Sequence, residues 1–218
     1  MTIDGPAGAG KSSAARELAR RLGFKLLDTG AMYRALAWAV REAGLPAEEG
    51  PGLAALLDRT RVELDGERVL VDGRDVTRLI RAPEIGELTS VLSAFRMVRE
   101  KMTPLQRALA ADGGVVLEGR DTGSVVCPDA EVKFYLDAAP EARARRRQQE
   151  LAARGIVLDL ATVRDEVARR DRQDGGRALA PTTVPAGAII VDSTSLPAAE
   201  VVERLVEAVE RVRCCTPS

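Results

Sequence analysis

A chain of 218 residues, 45% apolar and 30% charged, has the composition of an ordinary globular protein. It is long enough to bury a core without a disulfide or metal staple. Thirty-two basic and 33 acidic residues leave a net charge of −1, so no global field marks a nucleic-acid or membrane binder. There is no histidine, which excludes Ser-His-Asp and Cys-His triads, phosphohistidine chemistry and HExxH zinc sites together.

Cys127, Cys214 and Cys215 form no CxxC pair, and the two adjacent ones could bridge only through a strained ring. A reduced, cytoplasmic protein is expected. No secretory signal pattern opens the chain, and no apolar run approaches the ~18 residues of a membrane span. Only Lys11, Lys25, Lys101 and Lys133 are lysines; every other cation is arginine. Arginine suits bidentate grips on phosphate, and GC-rich coding produces the same bias, so position has to decide.

Taken in chain order, short β-like runs alternate with amphipathic helical stretches. Residues 1–4 lead into a glycine loop and a helix over about 11–22, with Leu18 and Leu22 on one face. Only three residues precede Asp4, so the first strand is expected to be short against the usual five or so. A second strand is predicted at 25–28, then a helix through Tyr33, Leu36, Trp38 and Val40. Further strands are predicted at 115–117, 132–136 and 188–191, apolar on both faces as helix-covered strands are. Strands separated by helices imply a parallel α/β sheet with right-handed crossovers.

Residues 61–72 break this rhythm and read as a hairpin turning at Asp65-Gly66-Glu67. With the helices around 82–112 it has the look of an insertion carrying its own small sheet. Residues 154–180 are arginine-dense and helical in pattern, ending in a loop at Gly175-Gly176. Arg143, Arg146 and Arg147 share one helical face, readable as a solvated face or as arginines touching a nucleotide. The stretch 198–213 carries a plain apolar stripe, and Trp38, Tyr33 and Phe134 read as packing aromatics.

The segment that fixes the chemistry is Gly5-Pro6-Ala7-Gly8-Ala9-Gly10-Lys11-Ser12, a full G-x-x-x-x-G-K-[ST] between a strand and a helix. Glycines let the backbone wrap phosphate with N–H donors, and the helix N-terminus adds a favourable dipole. Lys11 is expected at a solvent-facing site reaching the β and γ oxygens, Ser12 to offer its hydroxyl to Mg²⁺, and Ser13 to complete the loop. The loop predicts ATP with Mg²⁺ and leaves the acceptor open.

On the acceptor side, Asp28-Thr29-Gly-Ala-Met-Tyr-Arg34 is expected to deliver Thr29 and Arg34 at the tip of the second strand. Glu118-Gly-Arg120-Asp121 does the same for the third.

The combination I-D-G-P-x-G-x-G-K-S, D-T-G-x-x-Y-R and E-G-R-D-x-G-x-V-V-x-P-D-A resembles bacterial cytidylate kinases of the nucleoside monophosphate (NMP) kinase family. So do Arg170-Asp-Arg-Gln-Asp174-Gly-Gly-Arg177 and Pro181, and the motifs run in order from residue 2 to about 195. The resemblance implies a P-loop core with a five-stranded parallel sheet of order 2-3-1-4-5, an NMP-binding insertion and a helical lid. The core would comprise 1–59, 113–153 and 181–218, the insertion 60–112 and the lid 154–180.

It further implies transfer of the γ-phosphoryl group of ATP to CMP or dCMP with Mg²⁺, by a monomer whose partners are small nucleotides. Carried over by motif, Lys11, Arg34, Arg120 and Arg177 are the catalytic cations, the last three gripping acceptor phosphate. Ser90, Arg99 and Asp121 resemble cytosine readers, and Arg170 with Asp174 ribose contacts. Glu118 stands where aspartate is frequent, with two roles open: holding Mg²⁺ through water or bracing Arg120. Other acceptors (UMP, AMP, shikimate) and a non-enzymatic ATP-dependent switch are the competing readings.

Overall fold

The computed structural model describes residues 1–215, with side chains to Cys214. It divides into two compact units, Met1–Leu26 with Gly114–Ser218 and the continuous stretch Leu27–Gly113.

The parallel sheet is built from β1 (Thr2–Asp4), β2 (Lys25–Asp28), β6 (Val115–Glu118), β7 (Lys133–Asp137) and β8 (Ile189–Asp192), in the order β2-β6-β1-β7-β8. Numbered among themselves these strands read 2-3-1-4-5, the expected order. The central strand β1 pairs Ile3 with Glu118 on one side and Asp4 with Tyr135 on the other. Its C-terminal end therefore lies between the ends of β6 and β7, where ligands bind in such sheets.

Helix α1 (Lys11–Leu22) covers the first unit's sheet together with α8 (Ala198–Cys215). Ile3, Leu18, Phe134, Leu136, Val202, Leu205 and Val209 form one buried cluster between them. The apolar stripe of α8 is thus spent on packing, as its periodicity implies. Helices α6 (Pro140–Ala152) and α7 (Leu160–Gly175) pack against each other, with Leu151, Val163 and Val167 buried beside Ala7.

In the second unit, α2 (Thr29–Glu42) is buried along most of its length. It packs against α3 (Pro51–Arg59), α4 (Pro83–Leu92) and α5 (Arg96–Ala110). The expected hairpin is β3 (Val62–Asp65) with β4 (Arg68–Val71), and Asp65 faces Arg68 across the turn.

The structure corrects four expectations. A third strand, β5 (Arg74–Asp75), joins the hairpin; two exposed polar residues gave no alternation to find. Strand β8 is not apolar and covered on both faces, because it is an edge strand with Ile190 62% exposed. Gly175 is the last residue of α7 rather than part of a loop, and Gly176 caps the helix. Arg34 lies inside α2, since that helix begins at Thr29, directly after β2.

Among the described residues Cys127 and Cys214 form no disulfide, and the side chain of Cys215, with any bridge to it, lies outside them. Among the described residues no helix is long and apolar enough to cross a membrane.

Candidate active site

The loop between β1 and α1 has the geometry its sequence demands. Gly10 adopts φ 92°, a conformation that favours glycine, and it precedes the first turn of α1 without a side-chain cap. The first N–H groups of α1 therefore remain available as anion donors at the positive end of the helix dipole. Ser12 and Ser13 are exposed there.

Lys11 departs from the solvent-facing expectation: only 4% of it is exposed, and its Nζ donates to the carbonyl of Pro6 at 2.7 Å. Burial and the neighbouring Arg120 guanidinium pull its pKa down to about 7, against the carboxylates of Glu118 and Asp4.

Asp4 at the tip of β1 is a residue whose task the sequence reading missed. Its Oδ1 accepts from the backbone N–H and hydroxyl of Thr122, both at 2.8 Å, and its Oδ2 from the N–H of Gly123 at 2.7 Å. The buried carboxylate thereby fixes the loop that carries Arg120 and Asp121. That loop continues into a turn over Thr122–Val126, in which the Asp121 carbonyl accepts from Val125 and Val126. The signal was present, since Asp4 stands in the I-D-G-P motif, but adjacency across parallel strands is invisible to spacing.

Arg120, Asp174 and Arg177 come together. Asp174 accepts from Arg120 Nε at 3.0 Å and pairs through its other oxygen with Arg177 Nη2. Burial works against the charge on Arg120, and the carboxylates of Asp174 and Glu118 more than offset it, so its pKa is raised. Asp174 is buried too, which favours its neutral form, yet Arg120 and Arg177 hold its pKa below the usual carboxylate value. Arg170, half-buried, lies close enough to contribute to that lowering.

Arg143, Arg146 and Arg147 do not form a solvated face: each is at least half-buried and engaged by protein groups. Arg143 donates to the carbonyls of Ala138 and Ala7, and Arg146 to Ser193, whose hydroxyl donates to the Ala9 carbonyl at 3.1 Å. Arg147 is half-buried and pairs with Glu150.

The second unit carries the remaining expected residues. Asp28 caps α2 by accepting from the Ala31 N–H at 2.8 Å, with Thr29 buried and Arg34 half-buried in the following turns. Ser90 on α4 and Arg99 on α5 are both buried. Arg99 donates to the Ser93 carbonyl at 3.2 Å and stands over the Tyr33 ring, 5.8 Å from its centroid.

Among the described residues no three histidine, cysteine, aspartate or glutamate side chains gather as a metal cage. Ser12 is exposed at the start of α1, and Glu118 lies near enough to Lys11 to raise its pKa, an oxygen chemistry of the kind Mg²⁺ takes when phosphate and water complete its shell.

A cytidylate kinase family profile matches residues 1–211. The chain belongs to the cytidylate kinase family. A relative named cytidylate kinase from Pelotomaculum thermopropionicum is 48% identical over 218 residues, spanning 98% of this chain and 96% of that protein. Another, from Geobacter sp. (strain M21), is 52% identical over 208 residues, covering 93% of this chain and 89% of its own. Among solved structures, the shikimate kinase of Bacteroides thetaiotaomicron superposes with a TM-score of 0.50 over 96% of this chain and 97% of its own, at 15% identity. That likeness concerns the fold. It is a fold shared with another kinase, while the sequence match to cytidylate kinases covers nearly the whole chain.

Proposed function

We propose that this chain transfers the γ-phosphoryl group of ATP to CMP or dCMP, forming ADP and CDP or dCDP with Mg²⁺. The observation that carries this reading is a complete phosphate loop beside Arg120, Asp174 and Arg177, in a chain of the cytidylate kinase family. Bringing a nucleoside monophosphate dianion to ATP requires that their repulsion be offset, and fixed cations at the transferring group do this. Lys11 lies at the donor phosphates. Arg120 and Arg177 are held by one buried carboxylate, so their forks are aimed before the acceptor arrives.

The acceptor nucleophile is already a phosphate oxyanion, so no general base is needed, in keeping with a chain that has no histidine. Ser12 would hold Mg²⁺ through its hydroxyl, and the ion would supply charge neutralisation at the ATP phosphates. Arg34 joins the grips on acceptor phosphate and Thr29 lies in the same substrate set. Ser90, Arg99 and Asp121 read the cytosine edge, and Arg170 and Asp174 contact the ribose. The insertion over 60–112 receives the monophosphate and the lid over 154–180 closes on ATP, while 1–59, 113–153 and 181–218 form the core. The protein works as a cytoplasmic monomer on free nucleotides.

A coupled assay for ADP with and without CMP tests the reaction class. ADP release that depends on CMP supports the kinase. ADP release at one rate regardless of CMP identifies an ATP-dependent switch instead.

A further inference from the structure

The RDRQD stretch of α7 contributes more than Arg170 and Asp174. Between them stands Asp171, half-buried and directed at the phosphate loop. Its Oδ1 accepts from the backbone N–H of Ala7 at 3.2 Å, and its Oδ2 pairs with Arg143 Nη1. That same Nη1 donates to the Ala7 carbonyl at 3.1 Å, while Nε holds the Ala138 carbonyl at 2.9 Å. Both backbone polar groups of Ala7 are thus bound by one ion pair that joins α7, α6 and the loop. Contact with α6 is also close at the next residue. A Cβ on Gly8 would stand 2.8 Å from the Arg143 carbonyl oxygen and 3.0 Å from Arg143 Cβ, so only glycine lets the loop lie there.

We propose that Asp171 is a positioning residue for the donor nucleotide, acting with Arg143 to hold the Ala7–Gly8 stretch in its phosphate-receiving shape. The inference rests on the assignment of this loop to ATP. A loop with several glycines is conformationally permissive, and fixing it beforehand removes an ordering cost from ATP binding. Arg143 balances the carboxylate charge, so the brace stands beside the phosphates without strongly repelling them. The pair also makes loop shape depend on where α7 sits.

The test compares wild type, Asp171→Ala, Asp171→Asn and, as a control, Glu150→Ala, which removes the ion pairs of Glu150 with Arg147 and Arg154. KM and kcat are measured for ATP and CMP separately, together with the Kd of a fluorescent ATP analogue without acceptor. Losing a charge-assisted bond to the loop raises KM and Kd for ATP about 10- to 100-fold in Asp171→Ala. KM for CMP stays within about twofold, because the brace touches only the donor loop. Asp171→Asn keeps an oxygen for the Ala7 N–H and falls between the two.

A merely structural residue would lower the melting temperature and move both KM values alike, which overturns the proposal. So does an unchanged ATP affinity, or a tighter one, which would make Asp171 a competitor of phosphate. If wild type binds no ATP analogue, the assignment of the loop fails instead, and Asp171 is not at issue.

Discussion

Asp174 accepts from Arg120 Nε at 3.0 Å, and the side chains are 6% and 19% exposed. With Arg177 on its other oxygen, one buried carboxylate organises two of the cations assigned to the acceptor phosphate. Replacing it by alanine leaves two guanidinium groups buried without their partner, a loss of about 3–5 kcal/mol in stability. Urea unfolding of Asp174→Ala at pH 7 measures it. Asp174 also has a folded pKa below its ordinary 3.8, so its stabilisation is present above pH 3.8 and is lost as pH falls through the folded value. The gap between wild type and Asp174→Ala therefore closes in strong acid; a gap that persisted there would place the effect elsewhere.

Lys11 supplies a second prediction. With its pKa near 7 in the nucleotide-free protein, it is largely neutral at pH 8, and phosphate oxygens restore its charge. ATP binding at pH 8 is accordingly accompanied by proton uptake, and at pH 6, where Lys11 is already protonated, much less. Calorimetry in two buffers of different ionisation enthalpy counts the protons. Lys11→Met is expected to lower kcat by about 10²–10³, with a melting temperature no lower than wild type, since a poorly solvated cation has been removed.

The three bonds to Asp4 motivate a third. Asp4→Asn keeps the shape but turns an amide N–H₂ toward at least one backbone N–H, leaving a buried donor unpaired. The loss in stability is about 1–3 kcal/mol. Because Thr122 and Gly123 follow Arg120 and Asp121 directly, kcat/KM for CMP falls by more than tenfold through misplacement of those two. A stability loss with unchanged kcat/KM would show that Asp4 serves the fold alone.

Much of this was legible in the sequence because it was written locally. The phosphate loop, the hairpin turn and the stripe of α8 each occupy a few consecutive residues, and periodicity or steric demand reads them directly. Asp4, Arg143 and Asp171 were not legible in that way. Their partners lie 118, 136 and 164 residues away along the chain, brought close only by the sheet and by the packing of α6 on α7. Arg143 shows how periodicity misleads. A helical face of arginines suggests solvent or ligand, yet this guanidinium is buried and spent on loop carbonyls. The exposure of β8 was likewise hidden, because an edge strand and a covered one can share a composition.

Asp121 and Arg99 are among the proposed readers of the cytosine edge. Cytosine offers an N4 amino donor where uracil offers an O4 acceptor, so a carboxylate can satisfy the first and is left unpaired by the second. Arg99 can donate to O2 or N3 of cytosine, whereas uracil presents N3–H. Asp121→Ala is expected to erase most of the preference for CMP over UMP by harming CMP far more than UMP. Equal loss on both would reduce Asp121 to a brace for Arg120.

Acceptor choice is decided by kcat/KM for ATP-dependent ADP formation with CMP, dCMP, UMP, AMP and shikimate under one set of conditions. Saturable turnover of CMP and dCMP is expected, with CMP preferred over UMP by ~2–4 kcal/mol, about 30-fold to 10³-fold. AMP and shikimate should stay near the rate without acceptor. An equal or higher kcat/KM for UMP, AMP or shikimate would contradict this expectation.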